Sequence, residues 1–392
     1  MTDLRVAVIG FGARGELADI VHRPASGARV VACADPWPAA RQEAVRRFGP
    51  DVATYADHRE LLAGAAAGTA VDAALVLSPD DTHEPITVDL LRARVPTFVE
   101  KPLAITTTGA DRVLAVARET GTRLYVGHNL RHAPFVTTMR DLVADGAIGR
   151  VTSIWCRHFV GHGGDYYFKD WHADRRRSTG LLVQKGAHDI DVIHMLAGGR
   201  TVAVSAFGDL GVYGANPDRA DRGGTLMTDW FDEATWPAAA HRGLHAVIDV
   251  EDLSVVNMRL DNGVIATYQQ CHYTPDYWRN YTVIGTAGRL ENFGDTEGAT
   301  VRVWNARRSG YRADADLEVH VPGDDDGHGG SDPAIVAEFL RFARTGGPVA
   351  ISPVAARDAV ATGCAATDSL RAGGVLVEVP APPADVLAHF ER

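Results

Sequence analysis

A glycine-rich turn after the first apolar run is the feature that most constrains how this chain folds. Arg5 to Ile9 is long enough only for a buried strand, and glycines follow at positions 10, 12 and 15. In this Gly-x-Gly-x-x-Gly spacing, Gly10 permits a tight turn, Gly12 lets a pyrophosphate approach the backbone, and Gly15 lets the next helix pack closely. The spacing therefore predicts a strand, a turn and a helix that together bind a dinucleotide.

An acidic residue at the end of the second apolar run indicates which dinucleotide is bound. Val30 to Ala34 ends in Asp35, which lies 20 residues beyond Gly15. A carboxylate at this place accepts hydrogen bonds from the adenosine ribose and repels a 2′-phosphate. We therefore expect NAD rather than NADP. The alternative interpretation is a tight turn followed by a solvated aspartate at a strand end.

Length and charge narrow the class of protein and its partners. A chain of 392 residues favours two domains, and 46% hydrophobic residues support two globular cores. The formal net charge is −11 and the arginines are scattered, which argues against nucleic acid or an anionic membrane as partner. Since the first strand begins almost at once and no apolar run is long enough to span a membrane, we expect a cytoplasmic protein that binds a small molecule. The four cysteines have no Cys-x-x-Cys spacing, so neither a disulfide framework nor a thiolate metal site is expected.

The first third of the chain alternates short apolar runs with helix-like stretches, as a doubly wound parallel sheet requires. The predicted strands are Val6–Ile9, Val30–Ala34, Ala73–Leu77, Thr97–Val99 and Leu124–Val126. The predicted helices are Ala39–Phe48, Glu84–Ala93 and Ala110–Thr120. We expect a Rossmann-type α/β domain over residues 1–126, with ligands outside the carboxyl ends of its strands.

Beyond residue 126 the apolar residues recur with a different period, which predicts a second α+β domain over 127–392. Its predicted strands are Val151–Cys156, Val202–Phe207, Leu253–Arg259, Val264–Gln270, Tyr281–Ile284 and Val301–Trp304. Asp261-Asn262-Gly263 predicts a hairpin, which favours a largely antiparallel sheet. A long insertion, Gly208–Arg242, has no clear period, and two C-terminal helices precede a strand at Val375–Val379. We expect Pro380–Pro383 to mark a surface tail.

Four further segments, taken with the glycine turn and Asp35, resemble the Gfo/Idh/MocA oxidoreductase family over essentially the whole chain. The segments are Ser78-Pro79 with His83, Glu100-Lys101-Pro102, Gly127-His128-Asn129-Leu130-Arg131, and Asp141 to Arg150. The resemblance implies a Rossmann-like domain followed by a domain whose open sheet face joins subunits, here a homodimer or homotetramer. It also implies a set of cofactor-binding residues. These are Gly10, Phe11, Gly12, Ala13, Arg14, Gly15, Asp35, Ser78, Pro79, His83, Glu100, Lys101 and Asn129.

The segment from Gly180 to His194 resembles the catalytic helix of that family. As one helix it would place Gln184, Lys185, His188 and Asp191 on one face. The family's aspartate falls at position 184, where this chain has glutamine, which hydrogen-bonds a hydroxyl but does not take its proton. The resemblance implies His188 as the general base, and Asp191 either orients that imidazole or binds the sugar.

Lys101 follows the fifth predicted strand, at an edge where ligands bind. The interpretation without a function is a surface lysine beside a turn. The functional one is a cation that hydrogen-bonds the reacting hydroxyl and stabilises a developing alkoxide. We therefore predict Lys101, His188, Gln184 and Lys185 as the catalytic group.

Two polar and aromatic clusters are expected to shape a sugar site. The predicted substrate-binding residues are Tyr166, Tyr167, Trp171, His172, Asp191 and His328. Aromatic faces suit the apolar face of a pyranose, although a core aromatic patch and a flexible loop are the plain alternatives. Asp332 is expected at a helix N-cap. His188 with Asp191, or His241 with His245, lack a third ligand by spacing, so no metal is expected.

Three functions remain open at this point. The first is an NAD-dependent dehydrogenase acting on a secondary hydroxyl of a sugar, glycoside or cyclitol. The second is a redox-neutral glycosidase or C-glycoside-modifying enzyme that retains NAD and oxidises its substrate transiently. The third is a non-catalytic, dinucleotide-dependent regulator, which the presence of both Lys101 and His188 disfavours.

Overall fold

A six-stranded parallel sheet forms the first part of the molecule in the computed structural model, which describes residues 2–225, 227–322 and 330–390. Its strands are β1 Leu4–Ile9, β2 Ala28–Ala34, β3 Ala53–Tyr55, β4 Ala73–Val76, β5 Thr97–Glu100 and β6 Leu124–Gly127. Their order is β3-β2-β1-β4-β5-β6, and every pairing is parallel. The order reverses between β1 and β4, which is where a doubly wound sheet binds its ligand.

Helices cover both faces of this sheet, as the buried apolar strands require. They are α1 Glu16–Val21, α2 Pro38–Phe48, α3 His58–Ala67, α4 His83–Arg92 and α5 Thr107–Thr120. The Rossmann-type prediction is confirmed, and the five predicted strands are present within one to two residues of their bounds. Sequence reasoning missed β3, which has only three residues and no fully buried one.

The chain after β6 builds a nine-stranded mixed sheet and a small two-stranded one. Its strands are β7 Val151–Phe159, β8 Thr201–Asp209, β9 Arg219–Ala220, β10 Leu244–His245, β11 Leu253–Leu260, β12 Ile265–Cys271, β13 Trp278–Gly285, β14 Arg289–Phe293, β15 Thr300–Trp304, β16 Leu317–His320 and β17 Val377–Glu378. The large sheet has the order β16-β15-β14-β13-β7-β12-β11-β8-β17, and only the pair β7 and β12 is parallel. The predicted hairpin at Asp261-Asn262-Gly263 joins the antiparallel strands β11 and β12.

One face of the large sheet is packed and the other is open. Helices α6 Pro134–Ala144, α7 Arg175–Ser178, α8 Leu181–Gln184, α9 Gly186–Ala197, α10 Ser331–Thr345, α11 Pro353–Arg371 and α12 Ala384–Phe390 complete the chain. The inward residues of the strands form a core with α6, α9 and α11. The outward residues include the exposed Trp155, Phe207, Ile265 and Ile284.

The C-terminal helices return to the first sheet. Ile335 and Phe339 of α10 and Val386 of α12 belong to the same apolar core as β1 to β6. The segment Pro380–Pro383 lies at the surface as expected, with only Pro382 buried, but it is a link to α12 rather than a tail, and the carbonyl of Pro380 accepts a hydrogen bond from the Arg357 guanidinium. The boundary between residues 126 and 127 stays a prediction. No helix among the described residues is both long and apolar enough to cross a membrane.

Candidate active site

The glycine turn has the backbone geometry that its spacing predicts. Gly10 has φ +83°, and a Cβ there would lie 2.6 Å from the backbone of Ser78, so only glycine fits. A Cβ on Gly12 would meet nothing within 4 Å, which leaves the backbone open to a ligand. A short 3₁₀ turn, Ala13–Gly15, then leads directly into α1. The open backbone at Gly12 is the kind of surface that a dinucleotide pyrophosphate needs.

Asp35 joins the first two strand ends through backbone hydrogen bonds. Its Oδ2 accepts from the Phe11 N–H at 2.8 Å, and its Oδ1 accepts from the Trp37 N–H at 2.8 Å. Each carboxylate oxygen still has a free lone pair, because an ionised carboxylate offers about four acceptor sites. The predicted contact with ribose hydroxyls is therefore compatible with this arrangement.

The side chain of Arg14 is already engaged by carboxylates. Its guanidinium donates to Glu100 at 2.8 Å and to Asp332 at 2.8 Å, and Asp332 also accepts from the Asn129 amide at 2.9 Å. This network links the glycine turn, β5 and α10. The expectation that Asp332 is an N-cap is wrong, because Gly330 takes that position and Asp332 lies in the first turn.

His83 holds two strand ends together rather than facing a ligand. Its Nδ1 lies 2.7 Å from the Pro102 carbonyl and its Nε2 lies 2.8 Å from the Ser78 carbonyl. Both ring nitrogens therefore face protein carbonyls, and because burial lowers the pKa of the imidazole, the neutral ring donates to only one of them. The expected cofactor contact of His83 stays a prediction, and in this geometry neither ring nitrogen is directed at a ligand. The Lys101–Pro102 bond that follows β5 is cis.

Lys101 connects the Rossmann sheet to the second domain. Its Nζ donates a hydrogen bond to the carbonyl oxygen of Gln184 at 3.0 Å. Burial lowers the pKa of Lys101, while the carboxylates of Asp80 and Glu100 oppose that shift. Sequence reasoning did not single out Asp80, which is 4% exposed and whose Oδ2 has no partner among the described residues. Burial raises the pKa of Asp80 well above its usual value.

The predicted catalytic helix is two helices with a break between them. α8 ends at Gln184 and α9 begins at Gly186, so Lys185 lies at the break with φ −100° and ψ −41°. The expectation of one continuous polar face is therefore wrong. Gly186 faces Tyr268, whose ring would lie 3.1 Å from an added Cβ.

His188 is buried and neutral. Burial, with added repulsion from Lys101 and Lys185, lowers the pKa of the imidazole well below its usual value. Its Nδ1 has no hydrogen-bond partner among the residues that the structure describes. Its ring centre lies 6.0 Å from that of His128, nearly perpendicular to it. A neutral imidazole is the protonation state that accepts a proton near pH 7.

Asp191 does not orient His188. Its two oxygens accept from the Arg131 guanidinium, both at 2.7 Å, and the carboxylate is only 1% exposed. The nearest imidazole nitrogen recorded for it is Nδ1 of His128, at 3.7 Å. This ion pair contradicts both expected roles, because the carboxylate neither reaches His188 nor lines the cavity beside it.

A cavity of about 310 Å³ opens beside His188. Its lining residues are Asn129, Leu130, Phe135, His162, Lys185, His188, Tyr277, Arg279, Asp295 and Thr296. Among the polar ones, sequence reasoning missed His162, Tyr277, Arg279 and Asp295. They come from three separate places along the chain, with Tyr277 and Arg279 two residues apart at the start of β13, so only the folded sheet brings them together.

The predicted aromatic residues form a cluster next to this cavity. The rings of Trp171 and His172 stack at 3.8 Å, and Tyr166 lies 4.7 Å from His172. Tyr167 reaches the cavity side, since the Lys185 ammonium lies 5.7 Å from its ring centre and the His162 ring stacks on it at 6.2 Å. The predicted residue His328 lies outside the described residues. Across the described ranges, no group of three His, Cys, Asp or Glu residues could hold a metal ion.

Comparisons with known proteins agree with this fold. Residues 4–128 match the model of the oxidoreductase family with an NAD-binding Rossmann fold, and residues 136–291 match the GFO/IDH/MocA C-terminal domain. The chain therefore belongs to the Gfo/Idh/MocA family. Its first domain is an NAD-binding Rossmann domain, with a glycine cradle and an acidic strand end that fit this cofactor.

Several relatives and solved structures are similar to the chain. The inositol 2-dehydrogenase of Burkholderia multivorans is 35% identical over 199 residues, which cover 50% of this chain and 55% of that protein. Levoglucosan dehydrogenase, solved with NADH and levoglucosan, has a TM-score of 0.74 at 20% identity, covering 97% of this chain and all of that one. GenD2 from gentamicin A biosynthesis, solved with NAD, has a TM-score of 0.73 at 23% identity and 97% coverage of both chains. The two structures establish the fold alone.

Proposed function

We propose that the protein is an NAD-dependent oxidoreductase that takes hydride from a secondary hydroxyl of a sugar, glycoside or cyclitol. One observation carries the proposal: Lys101 at the end of β5 donates its Nζ hydrogen bond to the Gln184 carbonyl, one turn before His188. This bond joins the cofactor domain to the segment that carries the base. Membership of an oxidoreductase family and the similarity to inositol 2-dehydrogenase support the substrate class.

His188 and Lys101 have separate roles in the proposed reaction. His188 is neutral because burial lowers its pKa, so it accepts the proton of the substrate hydroxyl. The Lys101 ammonium donates a hydrogen bond to the oxygen as negative charge develops on it. Gln184 holds Lys101 through its backbone carbonyl, which is a role that needs no side-chain acid. The bound NAD supplies the hydride acceptor.

The glycine turn and the strand ends around it provide the proposed cofactor site. Gly10, Gly12 and Gly15 keep the backbone close to the pyrophosphate, and Asp35 accepts from the ribose hydroxyls and disfavours a 2′-phosphate. The backbone from Phe11 to Arg14, with Ser78, Pro79, Glu100 and Asn129, completes the wall. NAD is therefore the proposed cofactor in preference to NADP.

A redox-neutral reaction is the second candidate, and two observations favour it. Gln184 occupies the place of the acid that the family's dehydrogenases use, and the Tyr166, Tyr167 and His172 rings lie together beside the cavity. In such a reaction the hydride returns to the same substrate after a leaving group is expelled. The two candidates differ in whether NADH accumulates.

The open face of the nine-stranded sheet is the proposed subunit interface. Trp155, Phe207, Ile265 and Ile284 leave large apolar side chains exposed on its outward strands. Large apolar side chains exposed on one sheet face are typical of a protein interface. We expect a homodimer or homotetramer in solution, which sedimentation would measure.

Cofactor release and substrate oxidation together test the proposed function. The purified protein is denatured, its released NAD and NADH are measured, and the native protein is then incubated with NAD and a panel of sugars, cyclitols and glycosides. NADH that accumulates in proportion to a keto product supports the dehydrogenase. Stoichiometric bound NAD with aglycone release and no net NADH would replace it with the redox-neutral candidate.

A further inference from the structure

We infer that Asp80 is a positioning residue of the active site, whose carboxylate keeps the side chain of Lys101 in the ammonium form. Lys101 is the group proposed to donate a hydrogen bond to the reacting oxygen, and only its ammonium form brings a positive charge to that oxygen. The inference deepens the proposed function and rests on it for this role of Lys101. It is carried by the positions of two turns, by the partners of the nearby carboxylates and by the charges around both groups.

The turns that bear Asp80 and Lys101 are neighbours at the ligand-binding edge of the parallel sheet. β4 and β5 pair in parallel, and Asp80 and Lys101 follow the ends of these strands by four residues and by one. The His83 ring lies between the two turns, with Nδ1 2.7 Å from the Pro102 carbonyl oxygen and Nε2 2.8 Å from the Ser78 carbonyl oxygen. His83 therefore holds the turn after β4 against the turn after β5, and so fixes where Asp80 lies relative to Lys101.

The Asp80 carboxylate is buried without a group that binds its charge directly. Asp80 is 4% exposed, and its Oδ2 has no hydrogen-bond partner among the described residues. The next residue along the chain differs, since the Asp81 side chain is 30% exposed and pairs with Arg177 at 3.3 Å. A buried carboxylate is unfavourable unless a nearby cation compensates its charge. Lys101 is the cation that can do so.

The other polar groups next to Lys101 already have partners or carry no charge. Glu100 accepts from the Arg14 guanidinium at 2.8 Å and from the backbone N–H of Lys101 at 2.9 Å. Gln184 accepts the hydrogen bond of the Lys101 Nζ through its carbonyl oxygen at 3.0 Å, and its side chain is neutral. Both groups favour a proton on this nitrogen, but neither is a free counterion. That role falls to Asp80.

The charge of Lys101 depends strongly on Asp80. Burial lowers the pKa of Lys101, and the attraction of Asp80 is the largest effect that opposes this shift. Besides Asp80, the charges that act with Lys101 include Glu100, Arg14, Arg279 and Lys185. The imidazoles close to it are those of His128, His172 and His188, and burial lowers the pKa of each, so they are neutral near pH 7. Without the Asp80 carboxylate, cations would dominate around Lys101, and its pKa should fall further.

The charge of Asp80 depends on Lys101 in the same way. Burial raises the pKa of the Asp80 carboxyl group, and Lys101 is the largest attraction that opposes this shift. Arg177 adds a weaker attraction, whereas Asp81 and Glu100 repel the carboxylate. The phenols that sense the Asp80 charge are those of Tyr166 and Tyr167, and burial raises the pKa of both, so they add no charge near pH 7. Asp80 and Lys101 therefore stabilise each other's charged forms.

The experiment measures the protonation of Lys101 directly. The chain has three lysines, Lys101, Lys169 and Lys185. NAD-loaded protein made with lysine that carries ¹³C at Cε therefore gives three NMR signals, and each shifts when its ammonium loses a proton. Lys101→Arg assigns the signal of interest. In Asp80→Asn we expect that signal to titrate at a pH lower by about 1 pH unit or more, because an opposite charge has been removed. Asp80→Ser removes the same charge with a smaller side chain and should give the same shift.

Controls separate a charge effect from a structural one. Asp81→Asn removes the neighbouring carboxylate, which pairs with Arg177, and should leave the Lys101 signal in place. Asp80→Glu restores a carboxylate and should return the titration toward that of the wild type. The Lys169 signal should titrate at the same pH in every protein, and NAD binding and the melting temperature report folding. A Lys101 signal that titrates alike in the wild type, Asp80→Asn and Asp80→Ser would overturn the inference. So would a wild-type signal that already corresponds to the neutral amine near pH 7.

The NMR titration needs no turnover, so it separates this inference from the proposed function. A shift in Asp80→Asn without hydride transfer from any sugar, cyclitol or glycoside would uphold the charge relation and count against the dehydrogenase. Hydride transfer with no shift would uphold the dehydrogenase and refute the role of Asp80. Where both hold, kcat/KM should decline on the alkaline side as Lys101 loses its proton, and in Asp80→Asn this decline should begin at a lower pH by the same interval as the NMR shift.

Discussion

The glycine turn on the cofactor side of this cleft and the segment around His188 on its substrate side treat their polar side chains in opposite ways. On the cofactor side, the side chains of Asp35, His83 and Arg14 are each held by the protein itself. On the substrate side, Nδ1 of His188 and Oε1 of Gln184 are buried and have no partner among the described residues. The side chain of Lys185 likewise makes no hydrogen bond among the described residues, although the Asp189 and Asp295 carboxylates attract its charge.

The difference indicates where each ligand gains its binding energy. A cofactor common to a whole family binds to backbone and turns that are fixed before it arrives. The substrate instead completes hydrogen bonds that the folded chain leaves open, and a buried polar atom without a partner costs about 1–3 kcal/mol. Specificity should therefore be concentrated on the substrate side. Stability should be concentrated on the cofactor side and in the wall behind the cavity, which is the buried Asp189 with its partners Arg279, His158, Tyr268 and Tyr281.

The largest expected effect is on hydride transfer, and it tests the proposed substrate side directly. Lys101→Ala or His188→Ala should lower kcat by about 10²–10⁴-fold, the usual contribution of a positioned acid or base. The NAD dissociation constant should stay nearly unchanged, because neither side chain is part of the glycine turn. Stopped-flow absorbance of NADH and calorimetry with NAD measure the two quantities. Lys169→Ala is the matched control, and full activity in Lys101→Ala would refute the mechanism.

The wall behind the cavity should give the next largest effect, on stability rather than rate. Asp189 is fully buried; burial tends to raise its pKa, but Arg279 and His158 outweigh that and hold the pKa below its usual value. Asp189→Ala leaves the Arg279 cation with only part of its counterion, so the free energy of unfolding should fall by about 3–5 kcal/mol. Urea denaturation measures this change.

The exposed pair of Arg140 and Asp141 is the control for Asp189. Asp141→Ala should change the free energy of unfolding by about 0–1 kcal/mol, because solvent screens a surface ion pair. If Asp189→Ala were no more destabilising than Asp141→Ala, the wall would not be a stabilising element.

These contrasts explain what could be predicted from the sequence. The cofactor side was largely predictable because a strand, a glycine turn and a helix are neighbours in the chain. Even there, the partner of Arg14 was not, since Asp332 lies 318 residues away. On the substrate side, His188 was found through the family motif. Arg279 and Asp295 carry no local signal, and the break at Lys185 defeats helical periodicity.

The cofactor side should show a moderate effect when its acidic strand end is removed. Asp35→Ala should weaken NAD binding by about 1–3 kcal/mol, the size of lost charge-assisted hydrogen bonds. Asp35→Asn keeps part of the hydrogen bonding and removes the charge that repels a 2′-phosphate, so it should improve NADP binding relative to NAD. Calorimetry with both cofactors measures the change. An unchanged NAD affinity in Asp35→Ala would refute the assignment of this residue.

The smallest expected effect is a shift of pH dependence at Gln184, and it tests whether the substrate side works without a second acid. His188 must be neutral to accept a proton, so kcat/KM should fall as pH drops through its pKa. Burial lowers that pKa, and activity should therefore persist below pH 6.5, the ordinary value for histidine. Gln184→Asp places a carboxylate one turn before His188, which favours the imidazolium and raises the pKa. The acid limb of the profile should then move to higher pH, while Gln184→Asn, which adds no charge, should leave it in place. A limb that moves to lower pH in Gln184→Asp would mean that His188 is not the group that titrates.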